Sequence, residues 1–164
     1  MLPEEIRNLT GMSFGTTVFQ VEKETVRRFA DAVGDMNPLY HDADYAGNSE
    51  YGGIIAPPGY ISSQWFWGDT GPADGEGEEN ISGLGDIFTV LSNAGYRQAI
   101  DSSIEYEFYH PVRVGDTVTA VSRVRDIVER GKDDERAVFL FIETEYSGQD
   151  GAQVAVCRVT TTHR

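Results

Sequence analysis

The chain has 164 residues, 40% of them hydrophobic, which is enough for one domain with a real core. It carries 27 Asp and Glu against 13 Lys and Arg, a formal net charge of −14. That balance disfavours nucleic acid and anionic membranes as partners. No apolar run approaches membrane-spanning length and no signal-peptide pattern opens the chain, so a cytoplasmic protein is expected. The two lysines and eleven arginines fit either a high-GC genome or a salt-rich habitat. The single cysteine, Cys157, sits in the alternating run Val154 to Val159 and reads as a small core residue.

Phe14 to Val21 reads as a first strand. Val26, Phe29, Ala30 and Val33 then fall at i, i+3, i+4 and i+7, the apolar stripe of a helix. Glu22 and Glu24 lie in its first turn, where the helix dipole favours anions, and Gly34 provides the stop. Asn37-Pro38 forbids continuation, so the segment Asp35 to Asp42 forms a loop at the end of this helix. A second, nearly all-apolar helix is expected from Pro58 or Gly59 through Trp67. The Gly-, Asp- and Glu-rich stretch Gly68 to Gly85 reads as a mobile loop bordering the substrate entrance.

The second half is all strand. Ile104, Tyr106 and Phe108 alternate with Glu105, Glu107 and Tyr109. Thr117 to Val128, Ala137 to Tyr146 and Gln153 to Thr162 follow, separated by turns at 130–134 and 147–151. Helices early and antiparallel strands late give an α+β fold over residues 1–164 as a single domain.

Three stretches carry a family resemblance: Asp35-x-Asn37-Pro38-Leu39 at the end of its helix, Tyr51-Gly52-Gly53-Ile54-Ile55-Ala56, and Pro111-x-Arg113-x-Gly115-Asp116. In this order and spacing they resemble the MaoC-like hydratases and dehydratases. The nearest branch is the N-terminal half of double hot-dog, FAS1-like dehydratases, where Ala-Pro-Pro replaces Ala-His-Gly. The resemblance implies a hot-dog fold, a curved antiparallel sheet wrapped around a central helix. It implies an acyl-CoA or other acyl-thioester substrate, water addition or removal across its double bond, and neither cofactor nor metal. It also implies a homodimer or a heterodimer with a second MaoC-like hot-dog chain.

In that pattern an Asp and a His five positions later handle the water and the α-proton, and a backbone N–H at the start of the central helix polarises the thioester carbonyl. Here Asp35 matches the Asp, but Tyr40 stands at the His position, with His41 one residue later. Pro57 and Pro58 stand at the His and Gly of the second motif, and proline has no N–H to donate. The resemblance therefore implies a non-catalytic, pocket-shaping half of a hot-dog pair. A self-sufficient enoyl-CoA hydratase using Asp35 and His41 is the alternative; Gly59 N–H would replace the lost donor if the helix began one residue later. A thioesterase fits less well, because the central helix offers Gln64 but no acid before Asp69. A non-enzymatic acyl-CoA binder is the remaining reading.

Several residues have plain structural readings beside functional ones. Asp35 suits a turn cap and His41 a supporting position. Tyr40 suits packing with a hydrogen bond at its tip. Trp65 and Trp67 suit either an acyl tunnel or the core. Arg113 suits either a coenzyme A phosphate or a strand carboxylate. His110, before Pro111, reads as structural.

Overall fold

The computed structural model describes residues 2–67, 83–132 and 135–164, without the side chains of 65–67. Five strands, β1 (Ser13–Gln20), β2 (Ala99–Phe108), β3 (Thr117–Arg130), β4 (Ala137–Gly148) and β5 (Gln153–His163), form one sheet in the order β1-β3-β4-β5-β2. Every neighbouring pair is antiparallel. The helices are α1 (Glu4–Arg7), α2 (Lys23–Val33), α3 (Pro38–His41), α4 (Ala43–Gly47), α5 (Tyr60–Trp67) and α6 (Leu84–Asn93). No helix among the described residues is long and apolar enough to cross a membrane.

The strand expectations hold closely because the alternation is regular. The helix expectations need three corrections. First, α2 buries Val26 and Ala30, but Val33 is 60% exposed, so its stripe is shorter than the spacing suggested. Gly34 ends α2 in the left-handed conformation, with φ of 73°, and its N–H closes onto the last turn. Second, the segment after it is not a simple loop. Asn37 caps α3 by accepting from Leu39 N–H at 3.1 Å, with Pro38 in the first turn. Asp42 caps α4 in the same way through Asp44 and Tyr45. Third, the expected loop from Gly68 to Gly85 ends early. Its part at 68–82 lies outside the described residues, but α6 begins at Leu84. Leu84, Ile87, Phe88 and Leu91 make a helical stripe that the glycine-rich composition obscured, and Ile87 and Leu91 are fully buried.

One face of the sheet carries the core in transverse rows. The strand registers align Ala120, Tyr146, Ala155 and Phe108; then Ser122, Thr144, Cys157 and Tyr106; then Val124, Ile142, Val159 and Ile104. Ala120, Tyr146 and Ala155 of the first row pack with Tyr60 and Ile61 of α5 in one apolar cluster. Val124, Ile142 and Val159 of the third pack with Ile87 and Leu91 of α6 in a second. The middle row is polar, and its Ser122 and Thr144 hydroxyls satisfy each other at 2.9 Å.

The opposite face carries a charged row: Arg123, Glu143, Arg158 and Glu105 stand in register across β3, β4, β5 and β2. Glu143 is only 6% exposed and is bonded by Arg123, by Arg125 at 3.0 Å and by Arg158 at 2.9 Å. The Arg123 hydrogen bond is the main reason its carboxyl is held below the ordinary range; desolvation opposes it. With the folded value depressed, this stabilisation is complete above the unfolded value of about 4.3 and is lost as pH falls through the folded value. Glu143→Gln is expected to lower unfolding free energy by about 1–3 kcal/mol at pH 7 and to flatten the acid limb of the stability profile, as measured by urea unfolding from pH 7 down to pH 3.

Candidate functional site

The three motif stretches meet at one place. Residues 54–56 run antiparallel to 112–114: Ala56 N–H donates to Val112 at 2.8 Å and Val114 N–H to Ile54 at 3.0 Å. Arg113 ties the same join, since its Nε donates to the Tyr51 carbonyl at 2.9 Å and its backbone N–H to Asp116 Oδ2 at 2.8 Å. Its guanidinium thus holds the Tyr51 loop, and Arg113 does not line the cleft described next.

A cleft of about 440 Å³ opens beside this join, walled by Asn37, Tyr40, Tyr51, Pro57, Pro58, Ile61 and Phe108 among others. Tyr40 is 7% exposed, and its hydroxyl makes no hydrogen bond among the described residues. Burial pushes its pKa up, and the nearby Asp35 carboxylate and Tyr51 add to the effect. Tyr40 is therefore a neutral phenol at physiological pH, able to hydrogen-bond but not to take a proton.

Asp35 and His41 do not line the cleft. Asp35 Oδ1 accepts the Asn37 backbone N–H at 3.1 Å, a side-chain turn that shapes the motif loop. His41 Nε2 donates to the Asp35 backbone carbonyl at 3.0 Å, and its Nδ1 lies 3.9 Å from Asp31 Oδ1. The imidazole thus braces the backbone just beyond the end of α2. The structure brings His41 within hydrogen-bond distance of the Asp35 backbone carbonyl.

The central helix begins at Tyr60, one residue later than expected. Pro57 to Tyr60 is a tight turn: Tyr60 N–H donates to the Pro57 carbonyl at 3.1 Å, with Pro58 second and Gly59 third at φ of 88°. That is the type II pattern, which favours proline and then glycine at these positions. Gly59 N–H makes no hydrogen bond among the described residues and does not line the cleft. Tyr60, fully buried, stacks edge-on against Phe29 and bonds Thr25 at 2.7 Å, fastening α5 to α2. Trp65 lies in α5, but its side chain is outside the described residues.

Tyr51 entered the sequence reading only as the first residue of a motif stretch, and Phe108 and Tyr106 only as strand residues. Ser62 Oγ donates to the Gly59 carbonyl at 2.8 Å, so the Tyr106 hydroxyl donates to Ser62. Tyr106 also lies against the Cys157 thiol, which burial pushes up to about 11. Cys157 is thus a protonated core group and not a nucleophile. Tyr106 stacks on Phe108 with ring centroids 5.5 Å apart. The signal for both was their inward position in the β2 alternation, together with the pairing of Tyr106 with Cys157.

Gly59→Ala tests the turn. The added methyl meets Phe29 and the Tyr106 hydroxyl at ordinary distances of 3.7 and 3.8 Å, so strain at positive φ sets the cost. A loss of about 1–2 kcal/mol is expected in denaturant titrations, with Gly59→Asn losing less.

Residues 8–157 match the family described as FAS1-like, dehydratase domain region. A UPF0336 protein of Streptomyces coelicolor is 32% identical over 122 residues, covering 74% of this chain and 72% of that one. The 3-oxo-4,17-pregnadiene-20-carboxyl-CoA hydratase alpha subunit of Mycobacterium tuberculosis is 27% identical over 110 residues, 66% of this chain and 33% of that one. Among solved structures, the ChsH1-ChsH2 complex from Mycobacterium tuberculosis matches with TM-score 0.76 and 20% identity, covering 97% of this chain and 93% of that one. The single antiparallel sheet around α5 is accordingly the hot-dog fold. With the match extending over nearly the whole chain, this protein belongs to the FAS1-like dehydratase-region family of MaoC-like hot-dog proteins.

Proposed function

We propose that this chain is the non-catalytic, pocket-shaping half of an acyl-thioester hydratase or dehydratase, working beside a second hot-dog chain that carries the intact Asp-His pair. The observation that carries this reading is the make-up of the cleft. Its walls present Tyr40 and Pro58 where the reaction needs a proton acceptor and a backbone donor. The candidate replacements, Asp35 and His41, are engaged with backbone groups instead. Acyl-CoA is the proposed substrate class, supported by the name of the mycobacterial hydratase alpha subunit.

The proposed partner surface is β2. It is an edge strand, hydrogen-bonded among the described strands to β5 alone. Ile100, Ile104, Phe108 and Tyr109 on or beside it are 63, 55, 46 and 45% exposed. A ten-residue edge with exposed apolar side chains is what a second sheet would cover. A heteromeric pair is supported by the alpha-subunit relative and by the two-chain complex that shares the fold.

Hydration of crotonyl-CoA and longer enoyl-CoA thioesters tests the reading, with the chain alone and with a MaoC-like partner. Alone, the rate is expected to be close to background. Loss of an oxyanion donor removes about 10²–10³-fold, and loss of general acid–base catalysis about 10²–10⁴-fold. Activity that appears with the partner and is indifferent to His41→Ala supports the proposal. Strong activity of the lone chain that collapses in both Asp35→Ala and His41→Ala would establish the self-sufficient hydratase instead. Ligand retention without turnover in every combination would mark a binder.

The edge is tested separately. Ile104→Lys is expected to shift the assembly toward monomer in sedimentation velocity while leaving the far-UV circular dichroism unchanged. An unaltered assembly would place the interface elsewhere.

A further inference from the structure

A second, larger cavity of about 600 Å³ lies on the covered face of the sheet, between α5 and α6. It is distinct from the Tyr40 cleft: Ile104 lines the cavity and Phe108 the cleft, with Tyr106 between them on the same face of β2. Its apolar walls include Phe88, Ile142 and Val159, which suit a hydrocarbon chain. Its polar side is the middle row of the sheet and the groups around it.

Most hydroxyls on that side are already engaged. Ser62 bonds Tyr106 and the Gly59 carbonyl. Thr144 bonds Ser122, and Thr161 bonds His163 at 2.7 Å. Tyr146 differs. It is 2% exposed, it lines the cavity, and its hydroxyl has no hydrogen-bond partner among the described residues. No side-chain nitrogen or oxygen among the described residues is both sealed off and unpaired, so this hydroxyl opens on the cavity, within reach of a ligand's acceptor. Burial drives its pKa far up, so the phenol remains a proton donor.

We propose that this cavity holds the acyl part of the ligand, and that Tyr146 selects acyl groups bearing an oxygen acceptor, a ketone or hydroxyl, along the chain. The proposal rests on the acyl-thioester reading above for the word acyl. The cavity assignment itself rests on Tyr146 and the walls. Tyr146 is thereby a specificity-determining residue that acts away from the reacting double bond. A plain alkyl chain fills the same space but leaves the phenol unpaired, and a site built to hydrogen-bond a group discriminates against analogues that lack it.

The test uses two small probes without coenzyme A, 2-nonanone and propylbenzene, titrated calorimetrically into the purified chain. Wild type is expected to bind the ketone, and Tyr146→Phe to bind it about tenfold more weakly, the loss of one hydrogen bond. Propylbenzene affinity is expected to stay within about twofold, since the ring and its packing are kept. The infrared carbonyl band of bound 2-nonanone gives a readout that needs no variant: it moves to lower frequency if Tyr146 donates. Failure of the ketone to bind, equal effects of Tyr146→Phe on both probes, or an unshifted carbonyl band would overturn the proposal.

Decanoyl-CoA and 9-oxodecanoyl-CoA then separate it from the reading on which it rests. If the ketone binds through Tyr146 but neither thioester displaces it, the cavity assignment stands and the thioester reading falls. If both thioesters displace it equally in wild type and in Tyr146→Phe, the thioester reading stands and the selectivity falls. Tighter displacement by the oxo thioester, lost in Tyr146→Phe, supports both.

Discussion

A sheet of five strands with one apolar face needs a cover, and here an eight-residue helix supplies only part of it. That constraint organises the rest of the molecule. At the far end α6 contributes Ile87 and Leu91, and among the described residues a cavity lies between the two helices over the polar row. The row would be a liability in a dry core. It is satisfied by pairing: Ser122 with Thr144, and Tyr106 with Ser62 at the start of α5. The same hydrogen bonds that make the row tolerable also fix where α5 begins.

The signature stretch shows chemistry giving way to scaffolding. Asn37, Asp35 and Asp42 each cap or shape a turn, and His41 bonds the Asp35 carbonyl just beyond α2. Such bonds are worth roughly 0.5–2 kcal/mol each and hold Tyr40 and Tyr51 at the cleft wall. Pro58 is a loss only with respect to donating an N–H. For the turn itself, proline followed by glycine is the favoured pair.

Strands were legible because alternation survives in a sheet with one covered face: Ala137 to Gly148 and Gln153 to His163 appear nearly as their sequence patterns suggest. Three short helices were not, since four or five residues carry no period. α6 was missed for a different reason: Gly83 and Gly85 extended the loop reading over a sound apolar stripe. The cleft was legible through its motif residues, Asn37, Tyr40 and Pro58. Phe108 and Tyr146 were not, because their role depends on which rows the strands bring side by side, and register is a property of pairs of strands.

The charged row on the outer face reaches the free edge unevenly. Arg158 serves both Glu105 at 3.7 Å and Glu107 at 3.2 Å, so two carboxylates share one guanidinium where the sheet stops. Two identical edges laid together would each bring two carboxylates for one guanidinium, whereas an edge richer in Lys or Arg would offset the surplus. A surplus of one sign at the last strand would oppose any surface of the same sign laid beside it, by a repulsion that salt would weaken.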